Sequence, residues 1–314
     1  MVKEEFYYPS ADGKTDIHAV LWLPEEKPAA VLQISHGVTE HILRYEAVAE
    51  YFTKKGFAVA GNDHIGHGTS IAEKAEPMFF GQKGSWTWVV EDMCTCKEII
   101  QERFPDIPYC LLGFSLGSFL VRTYLIQYPG TVDGAALLGT GQIPAFQLAI
   151  ARRLVEKEIH RAGEEHTSPV IKKLSFETYN KKFAPNRTDF DWLCSSDTAL
   201  DEYMADSLCG EYLSAGLFRE LLNGMAFTGK MKNIRKMDSE IPILLASGEQ
   251  DSVGECGKGV RRVYRCFKKA GIKDVKVKLY SGLRHDILHE EKWEKICGDI
   301  YGWISQRFER KSIY

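Results

Sequence analysis

The chain has no surplus of positive charge with which to hold nucleic acid. Its 40 lysines and arginines face 43 aspartates and glutamates, a net charge of −3 over 314 residues, and no basic patch is interleaved with aromatics. No apolar run approaches the ~20 residues that span a bilayer. Met1-Val2-Lys3-Glu4-Glu5 lacks the apolar core of a secretion signal, so a cytoplasmic protein without a transmembrane segment is expected, in contact with lipid at most transiently. Neither His-Glu-x-x-His nor a Cys-x-x-Cys cluster occurs to complete a metal-ligand set, and no metal is expected. The eight cysteines show no framework spacing and fall in strand-like or helical sequence, which fits reduced thiols. Cys94 and Cys96, two apart on an expected helix, point in different directions and make a poor metal pair. Repeats and low-complexity linkers are also missing, which leaves solenoids and disordered arrays aside.

What is present is an ordinary globular composition, 44% apolar and 26% charged, arranged as alternating strands and helices. Strands are expected at residues 5–8, 16–22, 30–35, 57–62, 109–113, 134–138, 242–246 and 275–280. Most of the later ones are near-continuous apolar runs, the pattern of parallel strands buried on both faces. Tyr45, Val48, Ala49 and Phe52 recur at helical spacing, and Trp88, Met93, Ile99 and Ile100 do so more loosely. The fold class is therefore α/β, a mostly parallel eight-stranded sheet flanked by helices. Roughly 100 mainly helical residues lie between the sixth strand and Ile241, far more than the usual loop. They divide the chain into a core, 1–140 with 236–314, and an inserted helical cap, 141–235. The cap carries Phe146, Leu148, Ile150, Phe183, Phe190 and Trp192, which either line a pocket or form the cap's own small core.

Gly113-Phe114-Ser115-Leu116-Gly117 stands between the apolar strand Pro108–Leu112 and the helical stretch Ser118–Leu125. A serine at such a sharp strand-to-helix turn is held on strained backbone that projects its hydroxyl, and the flanking glycines remove side chains that would collide. Ser115 is the expected nucleophile. The following helix directs its amino end at the site, so the Leu116 amide can meet developing negative charge. The order Ser, acid, His is then filled downstream. Ser247-Gly248-Glu249-Gln250-Asp251 opens at the end of the strand Ile241–Ala246 and offers Asp251 as the acid, with Glu249 as competitor nearer the strand. His285 follows in Ser281-Gly282-Leu283-Arg284-His285-Asp286 and is the expected base. Of the other histidines, His289 reads as a surface or supporting residue, and His18, His160 and His166 as structural. His64 and His67 flank a glycine turn with Asp63 and lack a full ligand set. Cys256, close to Asp251 in sequence, reads as packing.

The apolar run Ala29–Ile34 leads into Ser35-His36-Gly37-Val38-Thr39-Glu40-His41, where His-Gly permits a sharp turn and exposes the Val38 amide as second oxyanion donor. His36 is expected to brace this loop, and Glu40 either to brace it or to start a helix.

His36-Gly37-x-x-Glu40-His41-x-x-Arg44-Tyr45, Asn62-Asp63-His64-Ile65-Gly66-His67-Gly68-Thr69-Ser70 and Gly113-Phe114-Ser115-Leu116-Gly117 resemble the monoacylglycerol lipase and lysophospholipase-like branch of the α/β-hydrolase superfamily. The likeness runs over nearly the whole chain and is weakest between about 141 and 235. Many relatives carry arginine where Ile65 stands. Phe190-Asp191-Trp192-Leu193 and Leu208-Cys209-Gly210 look like the cap of bacterial members, with Ser207 where some of them have proline. The resemblance implies an α/β-hydrolase fold and a serine esterase or lipase acting on small acyl esters without metal or organic cofactor. The expected substrate contacts are Gly37, Phe114, Phe146 and Trp192. Two other readings stay open. One is an aminopeptidase or amidase on the same scaffold, which would need an acidic cluster such as Asp197, Asp201, Glu202 and Asp206 for a substrate amine. The other is a ligand-binding protein that keeps the fold without turnover.

Overall fold

The structure, a computed structural model, describes residues 1–73, 75–173 and 177–311, with side chains as far as Arg307. Strands β1 (Val2–Pro9), β2 (Asp16–Leu23), β3 (Ala30–Ser35), β4 (Phe57–Asn62), β5 (Tyr109–Phe114), β6 (Gly134–Leu138), β7 (Ile243–Gly248) and β8 (Val275–Tyr280) form one sheet in the order β1-β2-β4-β3-β5-β6-β7-β8. β2 runs antiparallel to both neighbours, and every other pairing is parallel. The expected strands are all present; β2 and β5 each run one residue further than expected, and β1 and β7 differ more. β1 begins at Val2 because it pairs with β2 along its whole length, from Val2 opposite Leu23 to Pro9 opposite Asp16, and its Lys3-Glu4-Glu5 side chains belong to a sheet edge. β7 continues to Gly248, paired with Tyr280 of β8.

Side chains alternate across the sheet, so each strand feeds two cores. Leu21, Val31, Ala60, Leu111 and Leu245 face helices α2 (Trp86–Arg103), α3 (Leu116–Gln127) and α10 (Lys258–Ala270). Trp22, Leu32, Val59, Leu112 and Leu244 face α1 (Glu46–Thr53) and α11 (Trp293–Lys311). The expected α1 stripe packs on the second core through Val48, Ala49 and Phe52. On α2 the buried face instead runs through Trp86, Val89, Val90, Met93, Cys96 and Ile100, and Trp88 and Ile99 are only partly buried beside it. Gln33 interrupts an otherwise apolar strand without penalty, because its amide donates to the Met93 carbonyl at 3.0 Å and its oxygen accepts from the Tyr109 hydroxyl at 2.6 Å.

Between β6 and β7 lie α4 (Ala145–Ala162), α5 (Pro169–Lys172), α6 (Thr178–Asn180), α7 (Asp197–Ala205), α8 (Ala215–Thr228) and α9 (Met231–Ile234). Ser214 caps α8 by accepting from the Leu217 amide. α8 ends at Gly229, so α9 is a separate helix. Among the described residues this insertion has no isolated core: Leu148, Val155, Trp192 and Leu217 join the cluster that also holds Phe119 and Leu120 of α3.

Candidate active site

Four loops leave the carboxyl ends of β3, β5, β7 and β8 and converge there, the edge at which open α/β sheets gather their chemistry. Ser115 follows β5 at φ 50°, ψ −115°, a conformation that L-residues adopt only under strain. The two glycines of the pentapeptide are required by close approach. A Cβ on Gly117 would stand 1.9 Å from the Ser35 carbonyl oxygen, and one on Gly113 would meet the Gly117 carbonyl oxygen at 2.5 Å. The turn is fixed by the Ser115 amide donating to the Leu138 carbonyl at 2.9 Å and by the Ser118 hydroxyl donating to the Ser115 carbonyl at 2.6 Å.

His285 brings the three expected residues together. Its Nε2 lies 2.8 Å from Ser115 Oγ and its Nδ1 lies 2.9 Å from Asp251 Oδ1. Asp251 can only accept, so Nδ1 carries the proton and Nε2 is free to accept from the serine hydroxyl. Asp251 is fully buried and also accepts from the Ser247 hydroxyl at 2.7 Å and the Val253 amide at 2.9 Å. Burial alone would raise its pKa, but His285 and the Ser247 hydroxyl outweigh it and hold the carboxyl below its ordinary range. Glu249, the competitor, is exposed at the strand end, its backbone amide bonded to the Tyr280 carbonyl at 2.9 Å. Gly139, which the sequence did not single out, leaves room for the imidazole of His285: a Cβ there would sit 2.8 Å from its Cε1.

The loop after β3 is braced as its composition suggests. His36 is buried, and its Nδ1 donates to the Gly37 carbonyl at 2.7 Å while Nε2 accepts from the His64 amide at 3.0 Å. Burial and the neighbouring His64 and His67 rings push its pKa well down, so it stays neutral and holds the loop. Glu40 is a brace and does not open a helix: its carboxylate accepts from the Gly37 amide, the Tyr45 hydroxyl at 2.7 Å and Arg44. Val38 is thereby placed beside Ser115 and Leu116 on the wall of a cavity. Ile65 is buried in the apolar core.

That cavity, about 110 Å³, is lined by Val38, Ser115, Leu116, Phe119, Ile143, Ala151, Tyr179, Trp192, Leu213, Phe218, Leu221, Leu222, Met225 and Val253. Trp192 is the one expected substrate contact on this wall. Phe114 is buried beneath the site against His285, ring centroids 5.0 Å apart, and Gly37 lies against Phe114. Phe146 is 66% exposed and Ile150 56% exposed, so both face away from the cavity. These two lie one helical turn apart on α4, and a helical spacing does not tell the cavity side from the solvent side. The α8 contributors were missed for a related reason: that helix is buried on nearly every side, which erases the amphipathic signal. None of the four acidic residues considered for a substrate amine is on the cavity wall, and Glu202 is exposed. Asp197 and Asp201 pair with Arg187 on the surface, at 3.2 and 2.7 Å, and Asp206 pairs with His41 Nε2 at 2.7 Å. No helix of the described residues is long and apolar enough to cross a membrane.

A family model described as serine aminopeptidase, S33, matches residues 26–292. The chain is 26% identical over 307 residues to a monoacylglycerol lipase of Mycolicibacterium smegmatis, covering 96% of this chain and 97% of that protein. It is 26% identical over 302 residues to the monoglyceride lipase of Homo sapiens, covering 95% and 89%. Among solved structures, a highly thermostable carboxyl esterase from Bacillus coagulans in complex with glycerol matches with a TM-score of 0.87 and 27% identity over 97% of this chain and 99% of that one. The fold is that of the α/β-hydrolases.

Proposed function

The chain belongs to the serine aminopeptidase, S33, family, and on that premise we propose that it hydrolyses carboxylic esters of small alcohols, monoacylglycerols and lysophospholipids among them, through an acyl-serine intermediate. The observation that carries this reading is the cavity at Ser115, whose lining among the described residues contains no carboxylate. A peptidase that selects a free α-amine needs a buried negative charge to hold it, and Asp197, Asp201, Glu202 and Asp206 all lie outside the cavity lining. Apolar walls suit an acyl chain instead. The relatives named as monoacylglycerol and monoglyceride lipases, and the esterase with glycerol, support the same substrate class.

In this reading Ser115 Oγ attacks the ester carbonyl as His285 Nε2 takes its proton, and Asp251 stabilises the imidazolium. The amides of Val38 and Leu116 receive the oxyanion. The Leu116 amide is the first of α3 and has no intrahelical acceptor. Loss of one such donor typically costs about 100- to 1000-fold in turnover. Collapse of the intermediate breaks the ester C–O bond, His285 hands its proton to the leaving alcohol, and water repeats the sequence on the acyl-serine to release the acid. Residues 141–235 then act as the cap that supplies most of the acyl wall. The cysteine pattern supports the cytoplasm as the compartment.

The test is kcat/KM against acyl length for p-nitrophenyl and monoglyceryl esters, with aminoacyl arylamides alongside. Each methylene should gain up to ~0.8 kcal/mol, about fourfold, until the cavity is full, and activity should then drop. A flat ester profile with faster arylamide cleavage would overturn the reading.

A further inference from the structure

Val38 owes its direction to its neighbours. Thr39, next in the chain, has φ 60°, a left-handed conformation unusual for a β-branched residue, and it is buried. Such a conformation persists only where surrounding contacts hold it. On the Gly37 side the holding group is Glu40, from the same loop. On the Thr39 side it comes from the insertion. Tyr203 of α7 donates its hydroxyl to the Thr39 carbonyl at 2.9 Å, and the Thr39 hydroxyl donates to Tyr203 Oη at 2.7 Å. The Gly210 amide reaches the same carbonyl at 3.1 Å and Tyr203 Oη at 3.2 Å. The guanidinium of Arg44, itself paired with Glu40, lies 4.9 Å over the Tyr203 ring, so both flanks of Val38 are tied into one network.

We propose that Tyr203 is a positioning residue for the oxyanion hole: by holding the Thr39 carbonyl it fixes the carboxyl-side flank of Val38, and with it the backbone frame from which the Val38 amide is directed at the reacting carbonyl. The inference rests on the ester-hydrolase reading above and adds that the insertion, beyond forming an acyl wall, sets part of the catalytic geometry. Tyr203 is 4% exposed, and burial pushes its phenol well above the ordinary range, so it stays a donor throughout the working pH range of the enzyme.

A misdirected donor should slow turnover without weakening ground-state binding, because the oxyanion exists only once the serine has attacked. Tyr203→Phe should therefore lower kcat on the order of tenfold, less than outright loss of a donor, with KM little changed. Inhibition by an alkyl trifluoromethyl ketone, whose hemiketal with Ser115 carries the same oxyanion, should weaken by the same factor as kcat/KM. The pH at which kcat/KM is half-maximal should not move, since His285 and Asp251 are untouched. Thr39→Val, which removes the hydroxyl bonded to Tyr203 but keeps the carbonyl, should show the same pattern at smaller size and serves if Tyr203→Phe does not fold. A rise in KM at constant kcat, unchanged kinetics, or ketone affinity that stays at the wild-type value while kcat falls would each overturn the proposal. Ser115→Ala is the separate control: hydrolysis surviving in it would overturn the ester-hydrolase reading itself, whatever Tyr203 does.

Discussion

Trp192 lies against the imidazole of His285, ring centroids 5.3 Å apart and planes 36° from parallel. The contact joins a residue of the insertion to the residue that would move the proton, and its neighbours reinforce it. Arg284 donates to the Cys194 carbonyl at 3.0 Å, the Asp286 amide donates to the Leu193 carbonyl at 2.6 Å, and Glu290 accepts from the Ser195 hydroxyl and the Arg284 amide. Segment 191–195 and the loop carrying His285 are therefore one interlocked unit, and the insertion is anchored at this end.

Replacing Trp192 should accordingly disturb chemistry as well as substrate fit. Trp192→Ala removes both a cavity wall and the ring beside His285, and kcat/KM for medium-chain p-nitrophenyl esters should fall roughly 10- to 100-fold, as small displacements of catalytic groups do. Trp192→Phe, which keeps an aromatic ring there, should retain most activity. Equal kinetics for the two variants would show that the contact with His285 is without consequence.

The hydrogen-bond chain from Ser115 through His285 to Asp251 predicts that a fluorophosphonate modifies Ser115 alone among the serines, read by peptide mass spectrometry. Ser115→Ala should lose both labelling and hydrolysis. Asp251→Asn should keep the fold yet lower kcat on the order of 1000-fold or more, because the wrong imidazole tautomer is then favoured. Glu249→Gln should remain near wild type, since that carboxylate is exposed at the strand end. The reverse outcome for these two acids would move the acid role to Glu249.

Stability should decline with acid. His36, His64 and His67 are buried together, the first two stacked with centroids 4.0 Å apart, and burial holds His64 down at about 3 and His67 at about 4, with His36 also well below its ordinary value. The unfolded chain binds protons at these rings below about pH 6.5, whereas the folded one does not until near 4, so stability falls as pH drops through that window. At pH 5.5 the cost is roughly 1 kcal/mol per ring. Asp92, pushed by burial up to about 6, works in the opposite direction. So does His18, where burial would lower the pKa but Asp63 and Glu5 raise it. These two groups offset part of a loss summed over three rings. The urea midpoint should therefore be lower at pH 5.5 than at pH 7.5, and an unchanged or higher midpoint would contradict the assignment of neutral, buried rings.

Much of this molecule is decided by short-range chemistry that a sequence displays. The pentapeptide around Ser115 needs glycine at 113 and 117 because backbone passes within contact distance of both, and such a requirement is local. Buried parallel strands such as Tyr109–Phe114 and Gly134–Leu138 are apolar along their length because both faces are covered. Ser115, Asp251 and His285 each follow a strand whose end carries a loop, so that these three residues meet was legible from their positions after β5, β7 and β8. Tertiary structure alone decided which side chains of the insertion meet the site. Phe146 and Ile150 share a turn spacing with residues that face inward, yet they point to solvent, while Leu221, Leu222 and Met225 line the cavity from a helix buried almost all round. The same holds for Tyr203 and Thr39, 164 residues apart in the chain and joined by a 2.9 Å hydrogen bond. Periodicity records that a residue is buried, but the partner it is buried against is set by how the insertion folds back over the sheet, and no local pattern encodes that.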